Sequence, residues 1–491
     1  MIVLVDGHKH HYEMECLTMM FFPGEKITTT TDLSQQDGDY LYTRLREEEG
    51  TAQLFVRASV GGTLAEEGME IPLNAPEYDR QCERGFGRMA YRLLSAATGR
   101  APKWGILTGI RPIKLFHQCV ADGMTEEEIR QLFTQEMLLS PGKLDLAIQT
   151  QKNEQKVLSR STRDSFSLYI SIPFCPSRCH YCSFVSHSID RAKKLMPEYV
   201  SRLVEELRYT AKLVDQIGIK LKTVYFGGGT PTTLTAEQLQ LLIDVIKEEF
   251  DFSHLEEYTI EAGRPDTITL EKLQVIKNSD VTRISINPQT LNDQVLEAVG
   301  RRHTAQDVID KFHMAREVGI DCINMDLIAG LPGDTLDSFR RSVDGLIELG
   351  PENITVHSLS VKRAADLAKV DPEFLRHGSL VSDMVDYSQR VLAQHDYHPY
   401  YLYRQKNTMD NLENVGYCRP GQEGLYNVYI MDETHSILAV GAGGVTKLRE
   451  PGGSKIQRVF NFKFPYEYLS RFDQVIARKD EVTKFYETYP F

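Results

Sequence analysis

From Ser165 onward the chain alternates between two patterns of apolar and polar positions. Short apolar runs at 168–173, 223–227, 257–262, 283–287, 322–328 and 353–359 predict strands. Between and after them, apolar residues recur every three or four positions. That period predicts helices at 196–217, 236–250, 270–279, 293–299, 305–318, 336–349 and 380–395. Six strand–helix units in about 230 residues imply a parallel sheet covered by helices, because only crossover connections return the chain to a parallel register. The period does not choose between an open sheet and a partial barrel. In either architecture, ligands belong at the carboxyl ends of the strands.

The flanking regions follow other patterns. Roughly the first 75 residues carry short apolar runs between turn signals, such as Gln53-Leu54-Phe55-Val56-Arg57-Ala58, and predict several antiparallel strands. Residues 78–159 read as helical, punctuated by Pro112 and Pro141-Gly142. Beyond Tyr397 the chain is aromatic and irregular, with Tyr400-Tyr401-Leu402-Tyr403 and the turn Gly441-Ala442-Gly443-Gly444. It is expected to pack over the sheet edge. The expected division is an α/β chain in three parts: an N-terminal α+β accessory domain (1–160), a (β/α)6 core (161–397) and a small C-terminal cap (398–491).

Composition changes this picture little. The chain has 491 residues, 41% hydrophobic and 25% charged, as an ordinary globular protein has. A formal net charge of -13 argues against general nucleic-acid binding. No apolar run approaches the roughly 20 residues of a membrane helix. The opening Met-Ile-Val-Leu-Val-Asp-Gly-His lacks a basic region and a cleavage site, and reads as a first strand. The cytoplasm is the expected location.

Cysteine usage is more informative. Cys16, Cys82, Cys119, Cys322 and Cys418 are scattered and read as small buried hydrophobes. The other three, Cys175, Cys179 and Cys182, are spaced Cys-x3-Cys-x2-Cys on a loop just after the first strand of the repeating region. Three soft thiolates on one loop suit three irons of a cubane cluster and leave the fourth iron open for chemistry. A structural zinc site completed by His180 or His187 is the competing reading. Such sites usually come as two separated Cys-x2-Cys knuckles, and the chain has no second one.

The cysteine loop and the segments after it resemble the radical S-adenosylmethionine (SAM) superfamily. Those segments are Phe226-Gly227-Gly228-Gly229-Thr230-Pro231, Glu261, Gln289, Arg301, and Asp326 within Asn324-Met325-Asp326-Leu327-Ile328-Ala329-Gly330-Leu331-Pro332. Tyr169-x-x-Ile172-Pro173-Phe174-Cys175 narrows the resemblance to the oxygen-independent coproporphyrinogen III oxidases and their relatives. Trp104-Gly105-Ile106-Leu107-Thr108-Gly109-Ile110-Arg111-Pro112 and Tyr401-Leu402-Tyr403-Arg404-Gln405-Lys406-Asn407 point to the HemZ-type coproporphyrinogen dehydrogenases. Two positions depart from many members: Ser171 stands in place of a His, and Phe184 in place of a fourth Cys.

The resemblance implies a (β/α)6 partial barrel holding one 4Fe–4S cluster on Cys175, Cys179 and Cys182, and one or two SAM molecules. It places Tyr169 with the cysteines in the catalytic positions. It assigns the SAM amino group to Gly227, Gly228, Gly229 and Thr230, the ribose hydroxyls to Glu261, a polar contact to Gln289, the SAM carboxylate to Arg301 and the adenosine to Asp326. The implied reaction removes hydrogen and CO2 from two propionates of coproporphyrinogen III, giving protoporphyrinogen IX. A flavodoxin or ferredoxin is the implied reductant. The relatives also include a haem chaperone, in which case His357 is a candidate axial ligand, and tetrapyrrole methyltransferases.

One basic stretch stands out in this acidic chain. Seven Lys or Arg and one acid lie between Glu83 and Lys114, and Arg84, Arg88 and Arg92 share a helix face. Because Arg forks match carboxylates, this face is a candidate surface for an anionic substrate or partner. Lys362 and Arg363, after the sixth strand, are candidate contacts for propionate or the SAM carboxylate.

Overall fold

The computed structural model describes residues 1–35, 38–182, 187–360, 378–405, 408 and 411–491. The chain divides into two compact units. One comprises 1–151, 370–382 and 403–413, and the other 152–369, 383–402 and 414–491.

The first unit is built on a five-stranded sheet. Its elements are β1 (Ile2–Asp6), α1 (His11–Phe21), β2 (Thr28–Thr30), β3 (Tyr40–Glu48), β4 (Thr51–Val60), β5 (Thr63–Pro72) and α2 (Tyr78–Thr98). The sheet order is β2-β1-β3-β4-β5. Strands β3, β4 and β5 form the expected antiparallel meander, whereas β1 runs parallel to both β2 and β3. The reason is α1, an intervening helix that carries the chain back to the starting edge. Alternate residues of β4, including Leu54, Val56 and Ala58, pack with Phe86, Met89 and Leu94 of α2 in one core. Three further α-helices follow, α3 (Ile113–Ala121), α4 (Glu126–Gln131), which continues into a π-helical turn at Leu132–Glu136, and α5 (Pro141–Leu158), which runs on into the second unit.

The second unit contains the repeating region. Its six strands are β6 (Ser165–Ile172), β9 (Lys220–Gly228), β10 (Glu257–Glu261), β11 (Arg283–Ser285), β12 (Ile323–Ala329) and β13 (Asn353–Ser358), with the two-residue strands β7 (Phe174–Cys175) and β8 (His187–Ser188) after β6. The six lie side by side in chain order, each parallel to the next. Between them run α6 (Ile189–Ala192), α7 (Met196–Ile217), α8 (Ala236–Glu249), α9 (Leu270–Lys277), α10 (Asp293–Ala298), α11 (Ala305–Val318) and α12 (Leu336–Leu349). Local signals set the helix ends. Thr235 with Gln238 and Thr304 with Asp307 form capping boxes, and Gly218, Gly319 and Gly350 end helices in the left-handed conformation.

The tail adds strands to this sheet. After α13 (Gly378–Gln394) come β14 (His398–Arg404), β15 (Glu413–Cys418), α14 (Leu425–Asp432), β16 (Ser436–Val440), β17 (Val445–Arg449), β18 (Ile456–Phe460), α15 (Pro465–Ser470) and α16 (Phe472–Thr488). β15 joins β13 antiparallel, and β16 joins β6 parallel at the other side. Among the described residues the result is an open sheet of eleven strands rather than a closed barrel. Part of the segment expected as a cap is therefore sheet. One buried cluster fastens it: the fully buried Glu206 of α7 accepts from Gly441 N, Asn461 Nδ2 and Tyr468 Oη and pairs with Lys479 Nζ at 2.9 Å.

The parallel strands are not uniformly apolar. Phe166, Leu168, Ile170, Val224, Phe226, Tyr258, Ile260, Ile284, Met325, Leu327, Ile354 and Val356 alternate with Ser167, Tyr169, Thr223, Tyr225, Thr259, Glu261, Ser285, Asn324, Asp326, Thr355 and His357. Side chains two apart share a face. One face therefore packs on helices, and the other presents hydroxyls, carboxylates and amides.

Candidate functional site

The three cysteines lie on the loop leaving β6. Cys182 N donates to Cys179 O, closing a tight turn. The loop docks on the end of α10: Ser177 Oγ donates to Gly300 O, His180 N to Val299 O and His180 Nδ1 to Ala298 O. Thr230 Oγ1 points to Cys175 Sγ at 3.5 Å, and Arg264 Nη1 to Cys179 Sγ at 3.7 Å. Cys179 is 9% exposed. Burial alone would push its thiol up, but the Arg301 and Arg264 guanidiniums outweigh burial and hold it below the ordinary range.

This donor set fits a cluster with three protein ligands. Among the described residues, no three His, Cys, Asp or Glu side chains converge on one metal position. Ligands to a cubane each bind a different iron and so stand apart. Beside the loop, Asn287 Oδ1 and Arg301 Nε are buried without a partner.

The glycine run stitches β9 to the cysteine strand. Gly229 N donates to Ile172 O and Thr230 N to Phe174 O, both at 2.7 Å. A Cβ on Gly229 would meet Phe174 O at 2.5 Å and Ile172 O at 2.9 Å. Gly228 sits at φ +107°, where side chains are strained. Close approach to the cysteine strand thus explains these glycines. Ser171, next to Gly228, is buried and donates to Ala442 O at 2.7 Å. Its hydroxyl serves the Gly441–Gly444 turn.

A second group forms on the polar face at the strand ends. Tyr225 Oη donates to Glu261, and Tyr225 stacks on Tyr426 with centroids 4.2 Å apart. Tyr169 lies parallel to both rings at just over 6 Å. Burial pushes the Tyr169 phenol above its ordinary value. Burial, reinforced by Asp326, raises the Glu261 carboxyl to about 7, against the opposing effects of Tyr225 and His357. Asp326 goes the other way. Burial opposes its ionisation, but His357, Asn324 and Thr355 hold it below the usual carboxylate range. Asn324 Nδ2 donates to Asp326 Oδ1 at 2.8 Å, and His357 Nε2 lies 3.6 Å from Asp326 Oδ2.

Gln289 and Arg301 connect these groups through the backbone. Gln289 adopts φ +70°, and its N–H and C=O bridge to Asp326 O and Ile328 N, each at 2.9 Å. A non-glycine residue held there stores about 1 kcal/mol of strain, which is characteristic of functional turns. Arg301 is buried, and its Nη1 donates to Asn287 O at 2.5 Å and Pro288 O at 3.0 Å. Its guanidinium therefore sits between Cys179 and the end of β11.

Cys175, Cys179, Gly228, Gly229, Thr230 and Arg301 gather around the cysteine loop. Tyr169, Glu261 and Asp326 gather on the polar face. Sequence reasoning passed over Tyr225, Arg264, Asn324 and Tyr426 and the pairing of His357. The i, i+2 alternation of polar residues along the strands was the available signal for Tyr225, Asn324 and His357. Arg264 and Tyr426 lie outside strands and carried none. The basic helix face is corrected: Arg88 pairs with Glu136 at 2.6 Å and Arg92 with Glu67, so two of its three charges are matched within their own unit. Trp104 is buried and donates to Glu413, which Lys143 also binds, so that motif builds the core of the first unit. Phe184, Lys362, Arg363, Lys406 and Asn407 lie outside the described residues. Among the described residues, no helix is long and apolar enough to cross a membrane.

Residues 169–346 match the family model described as the radical SAM superfamily. The chain is 40% identical over 419 residues to the oxygen-independent coproporphyrinogen-III oxidase-like protein HemZ of Bacillus subtilis, covering 83% of this chain and 82% of that protein. It is 33% identical over 280 residues to the haem chaperone HemW of the same organism, covering 57% and 70%. In fold it is similar to coproporphyrinogen III oxidase (HemN) from Escherichia coli, with a TM-score of 0.52, 24% identity and coverage of 65% and 72%. The cofactors that follow are a 4Fe–4S cluster and SAM. The chain belongs to the radical SAM superfamily and, within it, to the family of the oxygen-independent coproporphyrinogen-III oxidase-like protein HemZ.

Proposed function

We propose that the chain oxidatively decarboxylates two propionates of coproporphyrinogen III, giving protoporphyrinogen IX. Each propionate loses one hydrogen atom, CO2 and one further electron to an acceptor. The observation that carries the reading is the polar strand-end face beside the cysteine loop, in a chain 40% identical to an oxidase-like protein along most of its length.

In this reading Cys175, Cys179 and Cys182 hold the cluster, and Glu261, Gln289, Arg301 and Asp326 bind SAM. When bound, the two cofactors supply a carbon radical able to take hydrogen from an unactivated carbon. The residues orient the reactants and exclude water. Tyr225 fixes one oxygen of Glu261, and Asn324 fixes Oδ1 of Asp326 while His357 lies beside Oδ2. Tyr169, Tyr225 and Tyr426 lie with their rings parallel, Tyr225 stacked on Tyr426, so that Tyr169 and Tyr426 hold the tyrosine that binds Glu261. A flavodoxin or ferredoxin serves as reductant. The likeness to HemW favours haem binding as the second reading.

The test is anaerobic turnover of the reconstituted chain with coproporphyrinogen III, SAM and a reductant. Protoporphyrinogen formed together with 5′-deoxyadenosine is the expected result. SAM cleavage without decarboxylation refutes this substrate. Stoichiometric haem binding without turnover replaces the oxidase with a haem carrier.

A further inference from the structure

Arg264 has no part in the proposed SAM site, yet it is, with Arg301, one of two buried cations that act on Cys179 of the cluster loop. It lies in Ala262-Gly263-Arg264-Pro265-Asp266, just past the end of β10. Its side chain is nearly fully buried, at 4% exposure. Asp266 grips it in two parallel bonds, from Nε to Oδ1 and from Nη2 to Oδ2, each at 3.0 Å. Such a two-pronged grip fixes the plane of the guanidinium. The remaining N–H groups face the cysteine loop: Nη1 and Nη2 each reach Ser177 Oγ at 3.3 Å, and Nη1 reaches Cys179 Sγ at 3.7 Å.

We propose that Arg264 is a positioning residue that sets the reduction potential of the cluster through Cys179. Hydrogen bonds to cluster sulfurs and nearby charge are the main levers a protein has on that potential. Reduction by a one-electron donor adds one negative charge to the cluster. A cation beside a ligating sulfur stabilises the reduced form more than the oxidised form. Burial keeps water and salt from screening that effect. Asp266 plays two opposed parts: it aims the guanidinium, and its own charge offsets some of the cation's field. Arg264 therefore makes the cluster easier to reduce, and Asp266 restrains the gain. The inference rests on the cluster alone and holds whatever the substrate is.

The opposed signs give the test. Full-length wild type, Arg264→Gln, Arg264→Lys and Asp266→Asn are reconstituted without SAM. Each is titrated with dithionite and mediator dyes, with the reduced cluster followed by electron paramagnetic resonance. The midpoint of Arg264→Gln is expected to fall below wild type, and Arg264→Lys to recover most of the loss. Asp266→Asn is expected to shift the opposite way, to a less negative midpoint. A wild-type midpoint in Arg264→Gln at full iron and sulfide content overturns the proposal. If Arg264→Gln does not retain iron, Asp266→Asn decides, because its amide oxygen still accepts from Nε and keeps the aim while the charge is gone: an unchanged or more negative midpoint there overturns the proposal equally.

Discussion

Two carboxylates on one polar face are driven apart in acidity, and each gives a prediction at the scale of a single residue. Glu261 is raised to about 7 by burial, reinforced by Asp326. A carboxyl raised in the folded state prefers its protonated form. Its contribution to stability is full below the unfolded value of about 4.3 and is lost as pH climbs through about 7. Glu261→Gln removes that loss. The SAM-free variant should therefore gain stability over wild type between pH 5 and 8, on the order of 3–4 kcal/mol at pH 8. Thermal melts of both proteins across that range check it, and a pH-independent difference refutes it. Asp326 is held ionised against burial with help from His357. With Asp326 as the proposed adenosine contact, His357→Ala should weaken SAM binding by about tenfold, or ~1.4 kcal/mol, measured by calorimetry on reconstituted protein. The sequence marked Glu261, Asp326 and His357 as strand-end polar residues. It did not show that Asp326 and His357 face each other, because that pairing depends on register between β12 and β13.

At the scale of elements, the end of β9 is the most constrained part of the site. Gly229→Ala places a methyl group 2.5 Å from Phe174 O, and neither neighbour is a flexible side chain that could yield. The strand end or the cysteine loop must shift, at a cost of about 1–3 kcal/mol. The expected outcome is a folded protein with reduced iron content after reconstitution, read by iron and sulfide assay against circular dichroism. A wild-type iron load with unchanged dichroism would show that the glycine is dispensable. The strand–helix alternation was legible because each strand and each helix carries its own period. The parallel placement of β1 was not, since α1 interrupts a region whose turn signals suggested only hairpins.

At the scale of the whole molecule, a buried ion pair reinforces the strand pairings that tie the tail to the repeating region. Lys479 is 3% exposed and Glu206 fully buried. Lys479→Met leaves that carboxylate without its cation, at a cost of about 3–5 kcal/mol. Denaturant unfolding of the SAM-free variant should show this loss, and a midpoint equal to wild type would remove the pair from the account of stability. By itself the sequence determined the six strand–helix units, the cysteine loop after the first strand and the radical SAM resemblance. Each of these is written in local period or in spacing along a few residues. Only the tertiary structure decided that the tail contributes strands to the sheet, that Arg88 and Arg92 are already paired, and that Arg264 reaches Cys179 across 85 positions of chain. Contacts between distant segments depend on how strands order and register in the sheet, and local patterns carry no information about either.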